Sequence, residues 1–484
     1  MIATFVGRKG ELAALHKRLD RVSSSGQGVA VALRGRRQVG KSRLVQEFCD
    51  RAEVPYVYFT AVKGASPVEA VAWFCQELRE SSATSDPDLV PVLETGSWPD
   101  AFRVLAGALG TGPAIVVLDE VPWLAEQDDS FDGALQAAWD RLLRDRPVLL
   151  LLLGSDLHMM ERLTGYDRPF FGRADNLVLG PLHPAETGAV LGLTGAEAIE
   201  AHLVGGGLPG ILATWNHGMP ALAFLARECE DPSAPVFSIP ESVLLAEFPS
   251  PDQSRRVLEA VGSGERTQAG IAAAAGGRPG PLSSGSLSPL LRRLAADKRV
   301  LAVEEPLSTQ PGKPALYRIA DSNLRLYLAM LRAAQERARR GQAQAAYRLV
   351  ERRWPAWRGR AVEPLVREAL ERAAVAGGLP WPDVEAVGGW WNRQFDPEVD
   401  LVGADRRPVA RRVRFVGSVK WLDGPFDAHH LAALWRAAAR VPGFTPGQTG
   451  LVVVSRSGTV SGPDQPRVDV LWGPDELVSA WSAG

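Results

Sequence analysis

Cysteine, lysine and long apolar runs are all scarce in this chain. Three cysteines in 484 residues, Cys49, Cys75 and Cys229, are too few and too scattered for a disulfide framework, and none has metal-ligand spacing. They read as reduced core thiols of a cytoplasmic protein. The seven histidines form no H-x-x-x-H or similar cluster, and even His429-His430 reads as a helix-surface pair, so no zinc site is indicated. The longest apolar run, Val148–Leu153, falls far short of the ~20 residues that a membrane helix needs. Met1–Val6 lacks the basic region and long apolar core of a signal peptide. A net charge of −2 gives no global field for nucleic acid, so any such contact must come from a local patch.

What is present is an ordinary globular composition, 46% hydrophobic and 23% charged, in a chain long enough for about three domains. From residue 1 to about 181, helical stretches alternate with the short buried runs Val29–Leu33, Tyr56–Thr60, Ala114–Leu118, Val148–Leu153 and Asn176–Leu179. That alternation predicts an α/β domain with a parallel sheet covered on both faces. Residues 182–240 read as a helical lid ending in a linker, Asp231–Pro240, that is rich in proline and serine. Residues 241–323 read as three short helices, Ser254–Val261, Gln268–Ala275 and Ser288–Asp297, followed by a hairpin of Val300–Val303 and Ala315–Ile319. Three helices plus a hairpin is a winged-helix arrangement. A helical connector over 324–352 leads to a second α/β domain over 353–484, with a helix at Gly359–Ala374 and strands at Val399–Val402, Arg412–Trp421, Leu451–Ser455 and Val468–Trp472.

One of only seven lysines falls inside Gly35-Arg36-Arg37-Gln38-Val39-Gly40-Lys41-Ser42, between the first strand and a helix that Arg43 helps to open. This is the P-loop pattern, or Walker A: the glycines turn backbone N–H groups onto phosphate oxygens, Lys41 reaches the β/γ-phosphates and Ser42 completes a Mg²⁺ shell. The helix adds its positive N-terminal end. About 80 residues on, Asp119 and Glu120 follow a strand as a Walker B pair would, Asp119 holding Mg²⁺ through water and Glu120 orienting the hydrolytic water. The next strand ends in Gly154-Ser155, where Ser155 is placed to touch that water or the γ-phosphate.

Together with Phe5-Val6-Gly7-Arg8, Gly172-Arg173 and Gly206-Gly207-Leu208-Pro209, these motifs resemble the archaeal-type ATPases. Those STAND and AAA+-related P-loop proteins, found in bacteria as well as archaea, carry a winged-helix domain and a restriction-nuclease-like C-terminal domain. The resemblance implies that Val6, Gly7 and Arg8 lie near the adenine. It makes Arg173 a γ-phosphate sensor or trans-acting arginine, and the turn ending in Pro209 a lid contact to the base.

In the C-terminal domain, Asp400 and then Ser418-Val419-Lys420 on successive strands resemble the PD-(D/E)xK nuclease core. Ser418 and Lys420 share a strand face, but a serine hydroxyl is a poor substitute for a carboxylate on a hard divalent cation. Glu363 and Glu398 are candidates for a displaced second carboxylate. Arg406, Arg407, Arg411, Arg412 and Arg414, and in the winged helix Ser286, Ser288, Arg292 and Arg293, are candidate DNA contacts.

The sequence thus predicts an ATP- and Mg²⁺-dependent switch with slow ATPase activity and little or no DNA cleavage. Two rivals stay open: a nucleotide-gated DNA-binding regulator, and an ATP-gated nuclease acting in defence against foreign DNA. DNA, a second copy of the chain and another protein all stay open as partners.

Overall fold

The computed structural model describes residues 5–84, 86–91, 96–155, 159–161, 165–166, 168, 170–248, 253–277, 280–312, 314–460 and 467–482. The chain divides into two compact units, Met1–Pro181 and Leu182–Gly484.

In the first unit, β1 (Val29–Arg34), β2 (Tyr56–Thr60), β3 (Ala114–Asp119), β4 (Val148–Gly154) and β5 (Ala174–Val178) form a parallel sheet in the order β2-β3-β4-β1-β5. The expected parallel sheet is therefore present, with its last strand two residues earlier than the apolar run suggested. β3 and β4 are buried at every position, as strands covered on both faces require. Around them lie α1 (Lys9–Ser25), α2 (Lys41–Arg51), α3 (Pro67–Glu80), α4 (Trp98–Ala108), α5 (Val121–Gln127) and α6 (Phe131–Ala138). α1 buries Leu12, Leu15, Leu19 and Val22, one stripe at helical spacing. α3 starts sharply because Ser66 and Glu69 form a capping box with Pro67 at its first turn. On one sheet face Phe59, Phe74, Trp98 and Phe131 pack edge to face, with ring centroids of 5.1 to 6.2 Å for Phe59–Phe74, Phe59–Trp98 and Trp98–Phe131.

Strand register positions the site. Arg34 at the end of β1 lies beside Gly154 at the end of β4, and Leu118 lies beside Leu152. The loop after β1, the Asp119-Glu120 pair and Ser155 therefore emerge together at the carboxyl edge, where ligands of open α/β sheets bind.

The second unit opens with helices Pro184–Leu191 and Gly195–Gly205. The stretch expected as a linker is instead helical over Pro235–Glu247: Pro235 suits a first turn, and Val236 and Phe237 are fully buried. Helices Gln253–Ser263, Gln268–Ala275 and Ser284–Arg292 then precede an antiparallel pair, β6 (Leu301–Glu304) and β7 (Leu316–Ile319). The third helix starts four residues earlier than expected because Ser283 caps it, accepting from Ser286 N. The single connector expected over 324–352 is broken at Gly341, φ +73°, and a new helix runs Ala343–Ala361.

The last region is a mixed sheet in the order β12-β11-β10-β9-β8, formed by β8 (Ala386–Trp391), β9 (Glu398–Ala404), β10 (Val413–Lys420), β11 (Gly450–Ser455) and β12 (Val470–Trp472). β8, β9 and β10 pair antiparallel, and β11 and β12 join parallel. The sequence reading missed β8, whose Gly388-Gly389 interrupts the β-branched pattern and sits at a register shift. The β6–β7 loop lies along this sheet: Leu307 N donates to Gly389 O at 2.9 Å and Ala410 N to Ser308 O at 2.9 Å.

One face of the mixed sheet shares its core with the helices at the start of the unit. Ile199 and Leu203 pack in one cluster with Val366, Leu370, Phe415, Leu477 and Trp481. Beside it Glu200, 8% exposed, accepts at Oε1 from Arg358 at 3.0 Å, Arg456 at 2.7 Å and Trp421 Nε1 at 3.3 Å. Removing one member of a buried pair leaves an uncompensated charge. Glu200→Ala should therefore cost ~3–5 kcal/mol, read as an earlier chemical-unfolding midpoint, and Glu200→Gln, which keeps an acceptor, should cost less.

Candidate functional site

The loop after β1 is built by backbone constraints. A Cβ on Gly35 would lie 2.4 Å from Leu179 O, so only glycine allows β5 and the loop to approach this closely. Gln38 and Gly40 take φ of +66° and +91°, turning successive N–H groups inward in the manner of an anion-binding nest. Arg8 ties the chain's entry to this loop, donating to Val39 O at 2.9 Å and Gly180 O at 2.8 Å. Gly7, at φ +83°, makes that turn, and Val6 stays exposed.

Lys41, buried to 6% exposure, donates from Nζ to Gly35 O at 2.9 Å and Arg36 O at 3.2 Å. Burial pulls its ammonium below the ordinary range, while Glu120 and Asp119 pull it back up. Phosphate oxygens are stronger acceptors than these carbonyls, so the lysine is set to exchange one for the other.

Asp119, 3% exposed, is held at both oxygens. Oδ2 accepts from Ser42 Oγ at 2.6 Å and from Tyr58 OH at 2.8 Å, and Oδ1 from Glu120 N at 2.9 Å. Glu120 sits in the left-handed region, φ +55°, a conformation that costs a non-glycine residue roughly 1–2 kcal/mol and often marks a functional position. Its Oε2 accepts from Ser155 Oγ at 2.9 Å. Lys41, Ser42, Asp119, Glu120 and Ser155, predicted from separate motifs, thus come together. Tyr58 was missed. Its only sequence signal is alternation, since Tyr56 and Tyr58 share a strand face.

The set fits a magnesium nucleotide. A hydroxyl and a carboxylate in contact suit a hard cation, and the turned loop with Lys41 suits phosphates. Arg173 stands apart from this cluster: its Nε and Nη2 bind Asp140 at 2.9 and 2.8 Å, a bidentate pair that satisfies the guanidinium. Pro209 begins a short helix, Pro209–Leu212, in the second unit.

Residues 4–152 match the family model described as AAA ATPase domain. The match falls within the first unit. Residues 327–431 match a model described as Archaea bacterial proteins of unknown function. Among solved structures, the chain is similar to a Walker-type ATPase of Pyrococcus abyssi, at 18% identity and TM-score 0.47, covering 67% of this chain and 96% of that one. The Orc1 protein of Aeropyrum pernix in complex with DNA is similar at 16% identity and TM-score 0.33, covering 72% and 95%. Cdc6p from Pyrobaculum aerophilum follows at 15% and 0.32, covering 70% and 97%. No curated protein matches the chain. No helix among the described residues is long and apolar enough to cross a membrane.

Beyond the nucleotide site, the candidate C-terminal residues are mostly engaged by the chain itself. Asp400 Oδ2 accepts from Ser418 Oγ at 2.9 Å and Val419 N at 2.8 Å. Glu398 turns away to Arg266, 2.6 Å. Glu363 meets Arg367 at 3.1 Å, and the same guanidinium reaches Glu304 at 2.8 Å and the Asp400 carbonyl at 3.0 Å. An arginine thus stands among the acids. Lys420 makes no side-chain hydrogen bond or ion pair with another described residue. No cluster of three or more His, Cys, Asp or Glu suited to a metal occurs among the described residues. Of the proposed basic cluster, Arg407 binds Glu371 and Arg414 binds Asp383, because acids lie in reach across the fold. In the three-helix region Ser288 accepts from Gln268 at 2.7 Å, while Ser286, Arg292 and Arg293 are exposed.

One shared guanidinium cannot neutralise both of its acids. Arg367 and Arg318 hold Glu304 down to about 2 against burial. Burial raises Glu363 to about 7, with Asp400 adding to the rise and Arg367 opposing it. Glu363 ordinarily titrates near 4.5, so between about 4.5 and 7 the folded chain holds the extra proton and this group's stabilisation falls as pH rises. Buried His202, lowered from 6.5 to about 4, acts oppositely: its contribution is lost as pH falls through that window. Glu363→Gln should remove the first term alone. Unfolding midpoints from pH 5 to 8 should rise more steeply with pH in the variant than in the wild type, and the two curves should run parallel above about pH 7.

Proposed function

We propose that the chain is an ATP-binding and ATP-hydrolysing switch whose nucleotide state sets the state of the second unit. The observation that carries this is the convergence of Lys41, Ser42, Asp119, Glu120 and Ser155 at one sheet edge. In this reading the loop N–H groups and Lys41 hold the β- and γ-phosphates. Ser42 and, through water, Asp119 would hold Mg²⁺, which would supply neutralisation of phosphate charge there. Glu120, fixed by Ser155, orients the attacking water. Arg173, paired with Asp140, is assigned no part.

Lys41→Ala should weaken ATP at least about tenfold, ~1.4 kcal/mol, in titration calorimetry. Glu120→Gln should bind ATP normally but turn it over slowly, since a water-orienting group acts mainly in the transition state. Unchanged ATP affinity in folded Lys41→Ala would sink the reading.

The three helices with β6 and β7 support reading a winged-helix module, and the mixed sheet supports reading a nuclease-like fold that does not cut. Ser418 at the acid position, Glu398 on Arg266 and Glu363 on Arg367 leave too little free negative charge for a cation. A second reading, a nucleotide-gated DNA-binding regulator, draws support from exposed Ser286, Arg292 and Arg293. Its contact would come from the helix rather than the wing, because the β6–β7 loop is occupied with the mixed sheet. In a plasmid assay with Mg²⁺ or Mn²⁺, with and without ATP, the wild type should leave DNA intact. Nicking that both Asp400→Ala and Lys420→Ala abolish would overturn the non-cutting reading.

A further inference from the structure

We infer that Tyr58 is a positioning residue of the nucleotide site, acting through Asp119 to fix where the cation binds; this rests on the ATP-binding reading above. Asp119 lies in the β3 line Ile115-Val116-Val117-Leu118, all fully buried. An ionised carboxylate there is costly unless its lone pairs are used. No ion pair to its carboxylate lies within reach among the described residues. Charge and orientation therefore depend on three neutral donors: Ser42 Oγ, Tyr58 OH and Glu120 N.

These donors are not equivalent. Ser42 is itself expected to bind the cation, and Glu120 N belongs to the next residue in the chain and turns with it. Tyr58 alone comes from a separate, rigid strand. Register explains why a tyrosine is needed. Tyr58 lies beside Val117, and Thr60 is the neighbour of Asp119, so the donor must cross to the adjacent strand and reach two residues along it, ~7 Å. Only a long side chain spans that diagonal, and an aromatic one loses little freedom in doing so. The hydroxyl must donate, because an ionised carboxylate can only accept. Burial foremost, and then the charge of Asp119, push the Tyr58 phenol above its ordinary range, which keeps the proton in place.

The role is specific to the cation. Among the described residues Tyr58's hydroxyl meets Asp119 and Ser42, the two groups assigned to the cation, and not Lys41, so its loss should show where the cation matters. The test is titration calorimetry of ATP against the full-length chain, once with excess Mg²⁺ and once with EDTA, for wild type and Tyr58→Phe. The substitution removes one oxygen and keeps the ring, and a thermal melt confirms folding. Affinity should fall about three- to tenfold with Mg²⁺, the weight of one typical net hydrogen bond, and stay within about twofold in EDTA. The Mg²⁺ concentration that half-saturates the stimulation of ATP binding should rise in parallel. Equal loss in both conditions would mean that Tyr58 supports the fold in general, and no loss in either would mean it is idle; each result overturns the inference while leaving the ATP reading intact. A wild-type chain that binds no ATP in either condition overturns both.

Discussion

Asp119 and Lys41 are buried ions, and most of the local architecture of the nucleotide site follows from the need to partner them. Lys41 is satisfied by carbonyls of the loop it closes, and Asp119 by donors from α2, β2 and its own backbone. Neither relies on the other at contact distance. A direct Lys41–Asp119 pair would be stable but inert, since a nucleotide would have to break it. Weak carbonyl acceptors on one side and neutral donors on the other keep both charges in place and available.

The same constraint is met the opposite way in the second unit. Glu200 with Arg358 and Arg456, and Glu304 with Arg367 and Arg318, are closed ion sets in which acid and base satisfy each other, while Glu363 shares Arg367 and is left only partly neutralised. Sites of that kind fix packing and exclude ligands. That contrast, as much as the serine at position 418, sets the acids of the mixed sheet apart from the open arrangement of Lys41 and Asp119. Even the acids that could have migrated into place, Glu363 and Glu398, are committed to arginines, Glu363 to Arg367 one turn along its own helix and Glu398 to Arg266 from a distant segment.

How far the sequence could be read follows from the range of the interactions. The P-loop is a contiguous local signal, and the strand-end positions of Asp119, Glu120 and Ser155, weak signals alone, gain weight only beside it. Tyr58 was not, because its partner lies 61 residues away and only strand register brings the two together. Arg266 and Glu398 are separated by 132 residues, and no pattern in either segment announces the other. β8 was hidden because Gly388-Gly389 reads as a turn when its burial is unknown. The prolines of 232–240 suggested a linker, although Pro235 at a helix start is as ordinary as proline in a loop. Arg173 was carried by resemblance alone, and Asp140 is the local fact that the resemblance could not supply.

The helical segment that the sequence presents as a lid is also a wall of the C-terminal core. Ile199 and Leu203 are buried with Val366, Leu370 and Trp481, and each such side chain is worth roughly 1.5–3 kcal/mol in burial. Glu200 between them is fixed to Arg358 and Arg456. Pulling helix Gly195–Gly205 off the mixed sheet would expose the apolar surface and strand the charge together, a far larger cost than the 1–3 kcal/mol typical of coupling between sites.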